Sequence, residues 1–466
     1  FPYTTLFRSE DVSGSVPIFA YFYQGSAELA PTYLKESRRY LDLYERLFGP
    51  YPFSHFAIVE NFFPTGYGLP GWTLLGSTVI RLPFVITTSL GHEIAHSWWG
   101  NGVWVDFHQG NWSEGLVTYI ADHLYEEYNG NKQARSYRLN HLMTYANLTN
   151  PSNRFAVKNF MYRSNRPGQA IGYGKAMMIF HMLRHEVGDE VFWQVLANMA
   201  EKHMFSRINW GDFANHFSTA TGRDLRPFFI QWINRTDDLR LQLTQVTLEQ
   251  TENGWLTRGV LQQNVVPYRL LVNIRLDNHQ KQHNQAIRIN SEQHKFSITT
   301  PWRPEQITVD PDIDLFRLMD PAEIPSTVAS IRGSTRLMAV VAERLSPIPA
   351  ARRTLLAGLR QASIPVVTAD QVTTEQLTRH DLLIFGVNDW LMPMVSTGEM
   401  ISELLGHHQT GAATTAESAG VIVTRNPYQP ERHAAWFVSD GSKYVASVAR
   451  RIPHYGRYGQ IGRAHV

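Results

Sequence analysis

The amino-acid sequence predicts an α+β protein with several domains, and three observations support this fold class. The chain has 466 residues, and at about 150 residues per domain this length corresponds to roughly three domains. Hydrophobic residues make up 43% and charged residues 18% of the chain, which suits packed cores and excludes a disordered, collagen-like or coiled-coil chain. Helical, alternating and short apolar patterns also follow one another along the sequence, which indicates domains of different types.

Residues 10–237 are predicted to form one domain that combines a mixed sheet with a larger set of helices. An amphipathic helix is predicted from Pro31, because apolar residues recur every three or four positions until Gly49 ends the pattern. Further helical patterns extend from about residue 89 to about residue 229. The predicted strands of this domain are residues 16–23, 56–59 and 72–82, and a loop rich in Gly and Pro separates the last two.

The rest of the chain is predicted to form a small β-sandwich at residues 238–320, a linker at residues 321–335 and an α/β domain at residues 336–459. In the first of these, short alternating runs are broken by Asn and Gly turns. In the last, short apolar runs alternate with helical stretches, which favours a mostly parallel sheet. The runs are residues 239–248, 268–276 and 295–299 in the sandwich; strands 337–341, 365–367, 381–387, 421–424 and 434–438 and helices 350–361 and 397–405 in the α/β domain.

The two ends of the chain are excluded from the fold prediction. Residues 1–9 and 460–466 resemble in-frame translations of common short-read sequencing adapters, so both are treated as artefacts. We therefore expect a metagenomic gene fragment that is cut at both ends, with any signal peptide or N-terminal domain lost by the cut. Neither the compartment nor the oligomeric state is predicted from these residues.

Charge and cysteine content exclude several function classes. There are 43 Lys and Arg residues and 41 Asp and Glu residues, so the net charge of +2 lacks the excess that binds nucleic acid or acidic membranes. The absence of cysteine excludes disulfides, thiolate metal sites and cysteine nucleophiles. No run of about eighteen apolar residues occurs, so no transmembrane segment is predicted.

The strongest local signal is a pair of histidines four positions apart, His92 and His96, with Glu93 between them. On a helix both imidazoles would lie on one face, close enough to reach a single ion. Glu93 would lie beside that ion, where a carboxylate can accept a proton from a water molecule. The sequence therefore predicts a metal-binding helix that carries its own general base.

A third ligand is predicted at Glu114, which begins a second helical pattern 18 positions after His96. Two antiparallel helices joined by this loop would bring its carboxylate to the same ion. Two His and one Glu leave a fourth position open, which is typical of catalytic zinc sites. Zinc in such a site lowers the pKa of water to about 7 and polarises a carbonyl group, the two requirements of amide hydrolysis. We expect one Zn²⁺ per chain.

These residues resemble the gluzincin metallopeptidases of the membrane alanyl aminopeptidase and leukotriene hydrolase family. The resemblance covers about residues 16–320 and implies a thermolysin-like, mostly helical catalytic domain. It implies that the zinc ligands are His92, His96 and Glu114, that Glu93 is the general base, and that Tyr173 stabilises the transition state. The motifs that carry the resemblance are His92 to Asn101, Trp112 to Gly115, Tyr173 to Lys175, Gln231 with Trp232, and Val309 to Pro311 with Leu315 to Arg317.

The chain departs from the family pattern in two places. One residue fewer separates the second His from Glu114, and we expect Glu114 to remain a ligand because the shortening lies in the loop at residues 106–111. The family's glycine-x-methionine-glutamate-asparagine loop, whose glutamate binds a substrate's free amine, is replaced by residues 66–72, which have no acidic residue. Substrate contacts are predicted there, at Gly66, Tyr67, Gly68 and Trp72. Glu60 and Asn61 are predicted to be an exposed loop pair.

We therefore predict a zinc-dependent, aminopeptidase-like peptidase that acts on peptide substrates. Two alternatives are a peptide-binding protein with an idle site, and a zinc hydrolase that adds water to an epoxide-type substrate. The resemblance also leads us to expect a bacterial protein that is exported or located in the cell envelope. Other histidines on helical segments are predicted to be core or surface residues and not ligands; they are His123, His181, His185, His203 and His216.

Overall fold

The chain forms two compact units, Phe1–Leu318 and Met319–Val466, in the computed structural model. The structure describes residues 6–64, 66–320, 323–361, 363–388, 401, 418–441, 444–456 and 459–461. Helices and strands mix in both units, so the predicted α+β class is confirmed. None of the helices within these described ranges has the length and apolar character needed to cross a membrane.

The first unit begins with a five-stranded sheet in the order β1-β2-β3-β5-β4. Strands β2, β3 and β5 run parallel, while β1 and β4 pair antiparallel at the two edges. The predicted strand at residues 72–82 ends at Gly76, and the predicted Gly/Pro loop contains strand β4. The bounds are β1 Leu6–Asp11, β2 Ile18–Tyr23, β3 Phe56–Asn61, β4 Gly66–Leu69 and β5 Trp72–Gly76, so β1 includes residues that the sequence analysis had set aside as an artefact.

Helices form most of the part of the first unit that lies between β5 and residue 237. Helix α1 (Ala30–Phe48) follows the predicted pattern, with Pro31 in its first turn, Gly49 as its C-cap, and buried apolar residues on one face. The later helical region consists of many shorter helices. They are α2 Pro83–Thr87, α3 Ser89–Ala95, α4 Ser113–Thr118, α5 Leu124–Asn129, α6 Asn131–Leu148, α7 Arg166–Gln169, α8 Ala176–Val187, α9 Asp189–His203, α10 Trp210–Thr221 and α11 Arg226–Asn234, with strands β6 Trp104–Val105 and β7 Arg207–Ile208 between them.

Two π-helical segments interrupt this helical region. Tyr119–His123 joins α4 to α5, and Ala170–Lys175 joins α7 to α8. Segments of this kind occur frequently at functional sites, because the wider turn displaces side chains from the regular helical positions. Both lie next to the candidate metal centre described below.

Strands β8 to β13 form two three-stranded sheets within the same compact unit. The orders are β11-β10-β13 and β12-β9-β8, and all of the pairings are antiparallel. Alternate residues of β10 are buried, as expected for a strand with one face toward a core. The bounds are β8 Gln242–Thr251, β9 Gly254–Gln262, β10 Leu270–Asn278, β11 Lys281–Ile289, β12 Gln293–Thr300 and β13 Gln306–Val309.

The second unit contains a six-stranded sheet in the order β15-β14-β16-β18-β17-β19, with buried apolar clusters on both faces. Strands β15, β14, β16 and β18 run parallel to one another. Strand β17 pairs antiparallel with β18 on one side and with β19 on the other. The predicted linker contains helix α12, and nearly all of the predicted helix at residues 397–405 lies outside the described residues. The bounds are α12 Val328–Arg332, β14 Leu337–Val341, α13 Pro349–Gly358, β15 Val366–Thr368, α14 Thr374–Arg379, β16 Asp381–Phe385, β17 Ala419–Asn426, β18 Gln429–Ser439, α15 Val445–Arg451 and β19 Gln460–Ile461.

Candidate metal centre and active site

Helix α3 presents the two predicted histidine ligands side by side. His92 lies within the helix and His96 is its C-cap residue, so the two rings are one turn apart and their centroids are 5.0 Å apart. The opposite side of the helix is anchored in the core by the fully buried Leu90 and Ile94. The packing of that apolar side therefore fixes the direction in which the imidazoles point.

Glu114, in the first turn of α4, reaches both histidines. Its Oε2 atom lies 3.4 Å from His96 Nε2 and 3.7 Å from His92 Nε2. One ligand atom from each of the three residues lies within 4.8 Å of the others. The structure thus brings together the three residues that the sequence analysis selected as metal ligands.

Each histidine is held at its other ring nitrogen by a hydrogen-bond acceptor. His92 Nδ1 lies 3.0 Å from Asp122 Oδ2, and His96 Nδ1 lies 3.0 Å from the backbone oxygen of Trp99. An Nδ1–H that donates to these acceptors leaves Nε2 unprotonated and directed at Glu114. Metal-binding histidines usually donate a hydrogen bond from the ring nitrogen that does not bind the metal, because this bond fixes the tautomer and the ring orientation.

Asp122 was not singled out by the sequence analysis. It lies in the π-helical segment Tyr119–His123, eight positions after Glu114, which is about two helical turns on the same face. The helical spacing between Asp122 and the predicted ligand Glu114 is visible in the sequence, and it could have indicated a carboxylate that hydrogen-bonds to a ligand. The role of the Trp99 carbonyl has no such signal, because any residue supplies a backbone oxygen.

The charges in this site favour a cation among the three side chains. Burial disfavours ionised Glu114, but His96 and His92 outweigh this effect and hold the pKa of the carboxyl well below its usual range. Burial alone would also lower the pKa of both imidazoles. Asp122 raises the pKa of His92 well above its usual value, and Glu114 raises that of His96. Each imidazole is therefore surrounded by negative charge that a bound cation would neutralise.

Glu93 lies beside the three candidate ligands, in contact with strand β4. Burial raises the pKa of its carboxyl group, and the neighbouring His92 and His96 oppose this effect. A Cβ atom added at Gly68 would come within 2.7 Å of Glu93 Oε2, and one at Gly66 would come within 3.6 Å of Oε1. Only glycine lets the strand approach the carboxylate this closely at position 68.

Tyr173 lies in the second π-helical segment, next to Glu114. Burial raises the pKa of its hydroxyl, and the charge of Glu114 and a hydrogen bond to it raise the pKa further. Phe160 packs edge-on against the phenol ring, with 6.0 Å between ring centroids. Gly115 allows α4 and α8 to pack closely beside this site, because a Cβ atom at position 115 would lie 2.3 Å from the Cβ atom of Ala176 at the start of α8.

Strand register separates the four predicted substrate contacts into two pairs. Gly66 and Gly68 face helix α3, as the distances from their added Cβ atoms to Glu93 show. Successive residues of a strand point to opposite faces, so Tyr67 points away from Glu93. Trp72 is paired with Leu69, which shares the face of Tyr67. The two aromatic rings therefore lie on the face of the sheet opposite the metal centre.

Glu60 and Asn61 do not form the exposed loop pair predicted from the sequence. Both are buried at the end of strand β3, with relative exposures of 2% and 7%. Glu60 accepts hydrogen bonds from the Tyr23 backbone N–H at 2.9 Å and from the Ser26 hydroxyl at 2.8 Å. The prediction was wrong because strand β3 continues two residues further than expected, and Glu60 is already occupied by internal hydrogen bonds.

Comparison with known proteins shows which protein family this part of the chain resembles. Residues 84–232 match the family described as the Peptidase family M1 domain, and this segment contains all three candidate ligands, Glu93 and Tyr173. Residues 84–232 are thus similar to a peptidase domain, which confirms the resemblance inferred from the sequence.

The curated relatives that the chain resembles include aminopeptidases. The chain is 22% identical over 273 residues to an alanine/arginine aminopeptidase of Saccharomyces cerevisiae, covering 52% of this chain and 31% of that protein. It is 24% identical over 219 residues to a probable aminopeptidase 1 of Sulfurisphaera tokodaii, covering 43% and 28%. The chain therefore spans less than a third of the length of these relatives.

The fold is also similar to that of Legionella pneumophila aminopeptidase A, whose structure was determined in complex with aspartic acid. The TM-score is 0.51 at 19% sequence identity, and the match covers 68% of this chain and 38% of that one. At this identity the likeness concerns the fold alone. It extends beyond the segment that matches the family domain.

Proposed function

We propose that this protein is a zinc-dependent peptidase of the aminopeptidase-like type, with one zinc ion held by His92, His96 and Glu114. The observation that carries the proposal is the convergence of both Nε2 atoms on Glu114 Oε2, at 3.7 and 3.4 Å. The match of residues 84–232 to the peptidase M1 domain supports the same proposal.

The donor set fits zinc better than other common divalent ions. Two imidazole nitrogens and one carboxylate are typical ligands of catalytic zinc, whereas Ca²⁺ and Mg²⁺ require more oxygen ligands. The hydrogen bonds of His92 to Asp122 and of His96 to the Trp99 carbonyl match the support expected around such a metal. When bound there, zinc lowers the pKa of a water molecule and polarises a substrate carbonyl.

Glu93 acts in this proposal as the general base and then as the general acid. It accepts a proton from the attacking water and passes that proton to the nitrogen of the leaving amine as the C–N bond breaks. Burial raises the pKa of its carboxyl group toward the range in which it can both accept and release a proton. Its position next to the candidate ligands, and not among them, leaves its oxygens available for this transfer.

Tyr173 stabilises the negative charge that develops on the carbonyl oxygen of the substrate. Its environment raises the pKa of the phenol, so the hydroxyl stays protonated at neutral pH and can donate a hydrogen bond. The packing of Phe160 against its ring limits the conformations of the side chain. Gly66 and Gly68 allow the backbone of β4 to lie close to the site, where it can pair with an extended peptide.

The proposal is tested by comparing the wild type with Glu93→Gln, which keeps the shape of the side chain but removes the proton acceptor. We expect zinc content to be unchanged and peptide hydrolysis to fall by several orders of magnitude. Glu201→Gln, an exposed position on α9, is the matched control and keeps both properties. Peptide binding without turnover by the wild type would instead support the idle peptide-binding alternative, and turnover of an epoxide alone would support the other one.

A further inference from the structure

A second cluster of metal-type side chains lies in the first compact unit and shares no residue with the centre described above. His181 and His185 lie one turn apart on helix α8, with ring centroids 4.5 Å apart. Their Nε2 atoms lie 3.0 Å and 3.5 Å from the same atom, Asp314 Oδ1. One ligand atom of each residue lies within 4.8 Å of the others.

The geometry points to a second metal site at His181, His185 and Asp314, one that takes a divalent ion such as Zn²⁺. Two imidazoles at this helical spacing and one carboxylate form the same donor set as the first centre. Both histidines were predicted from the sequence to be core or surface residues. Their contact with Asp314, more than 120 positions later, leaves no pattern in the sequence.

Two of the three side chains, His181 and Asp314, are held from behind by hydrogen-bond partners, as ligands in metal sites usually are. His181 Nδ1 lies 3.3 Å from the Tyr119 hydroxyl, so this nitrogen can carry the proton while Nε2 faces Asp314. Asp314 Oδ2 accepts a hydrogen bond from Asn273 Nδ2 at 3.1 Å, which turns Oδ1 toward the two imidazoles. His181 and Asp314 are therefore oriented toward each other by partners outside the cluster.

The cluster also opens onto a small cavity that provides room for a further ligand. This cavity has a volume of about 30 Å³, and His185, Asp314, Met182 and Asn273 contribute to its lining. A volume of this size accommodates a single water molecule. A water there would complete a four-coordinate site.

Arg138 lies next to the cluster and limits its affinity for a cation, and Arg269 lines the same cavity. Its Nη2 atom lies 3.5 Å from Asp314 Oδ1, an ion pair too long to be a hydrogen bond. Its donors are occupied by the backbone oxygens of Ile313 at 3.0 Å and Asp312 at 2.7 Å and by His123 at 2.7 Å. The nearby positive charge weakens the binding of any divalent cation. The two imidazole ligands favour Zn²⁺, Ni²⁺ or Cu²⁺, and Ca²⁺ or Mg²⁺ should not bind because they require more oxygen ligands.

A purely structural hydrogen bond between His181 and Asp314 is the competing explanation. Burial lowers the pKa of His181 to about 3, so the ring is neutral at physiological pH under either explanation. His185 discriminates between the two, because its side chain is 41% exposed and is free to extend into solvent. It nevertheless lies against the oxygen that already contacts His181. A metal site requires His185, whereas a simple hydrogen bond does not.

The experiment counts metal ions on the metal-free full chain after equilibrium dialysis against Zn²⁺ alone, with Co²⁺ absorption spectra as a second readout. Wild type should bind two equivalents, and His96→Ala and His185→Ala should each bind one. The matched control is His203→Ala, which removes another helical histidine, one that contacts His216 at 2.8 Å. It should bind two. Asp314→Asn, which keeps a partner for Asn273, should repeat the loss seen in His185→Ala.

Loss of one equivalent in both His185→Ala and Asp314→Asn would support the second site, and so would a Co²⁺ band that disappears in both. A wild type that binds one equivalent, or a His185→Ala protein that still binds two, would overturn it. Peptide turnover by His185→Ala should stay within about twofold of wild type. Failure of the proposed function would leave the equivalent that depends on His185 in place, because the two sites share no ligand.

Discussion

Replacing Gly68 by alanine should impair catalysis without unfolding the protein. The added Cβ atom would lie 2.7 Å from Glu93 Oε2, whereas ordinary van der Waals contacts begin at 3.4 Å, so the carboxylate must move by about 0.7 Å. The nearest atom is the end of a flexible side chain. The next two, the Glu93 backbone oxygen at 3.2 Å and His96 Cβ at 3.3 Å, need to give by only a few tenths of an ångström, so the cost in stability is modest. A displacement of about 1 Å at a catalytic group can lower a rate about a hundredfold. We therefore expect kcat to fall by about ten- to a hundredfold.

The matched control is Gly66→Ala on the same strand. Its added Cβ atom would lie 3.6 Å from Glu93 Oε1 and 3.3 Å from Leu75 Cδ2, which leaves the carboxylate in place. The assay measures kcat and KM on a peptide substrate, together with zinc content and the thermal midpoint. Gly68→Ala should keep its zinc and its thermal midpoint while kcat falls, and Gly66→Ala should resemble wild type. Equal activity of the two variants would show that the added Cβ atom at position 68 does not displace the Glu93 carboxylate from a catalytic position.

Three further predictions follow from the site. Asp122→Asn removes the charge behind His92, so zinc affinity should fall about 10- to 100-fold in a competition assay with a chelator; unchanged affinity would contradict the supporting role of Asp122. Tyr173→Phe should lower kcat by about 10²- to 10³-fold and leave KM nearly unchanged; an effect confined to KM would assign the hydroxyl to substrate binding. Peptides with free and acetylated N-termini should differ little in kcat/KM, since residues 66–72 have no carboxylate and Glu60 is buried and hydrogen-bonded; a preference of about a hundredfold or more for the free amine would reveal another carboxylate in the site.

The metal centre could be predicted from the sequence because most of its geometry is local. The four-residue spacing of His92 and His96 defines one face of a helix, whatever surrounds it. Glu114 follows after a short loop, so two adjacent helices are enough to bring it to the same place. Asp122 lies at a helical spacing from Glu114, and this spacing is also visible in the sequence. Its contact with His92 was nevertheless not predicted.

The parts that could not be predicted depend on contacts between distant segments. Strand β4 was expected to be a loop, because its glycines have low strand propensity, but pairing with β5 stabilises it at the edge of the sheet. Glu60 was expected to be exposed, and its burial depends on Ser26, 34 positions earlier. Asp314 meets His181 and His185 across more than 120 positions. No periodic pattern in the sequence indicates such a contact.

The most direct test of the proposed metal centre measures the zinc content and peptide turnover of Glu114→Gln beside wild type and Glu201→Gln. This substitution keeps the size of the ligand but removes the negative charge that lies 3.4 Å from His96 Nε2. Glu114→Gln should bind one equivalent of zinc fewer than wild type, and its peptide hydrolysis should fall to the rate of the buffer, while Glu201→Gln should retain both properties. A Glu114→Gln protein with the zinc content and turnover of wild type would contradict the assignment of the metal centre.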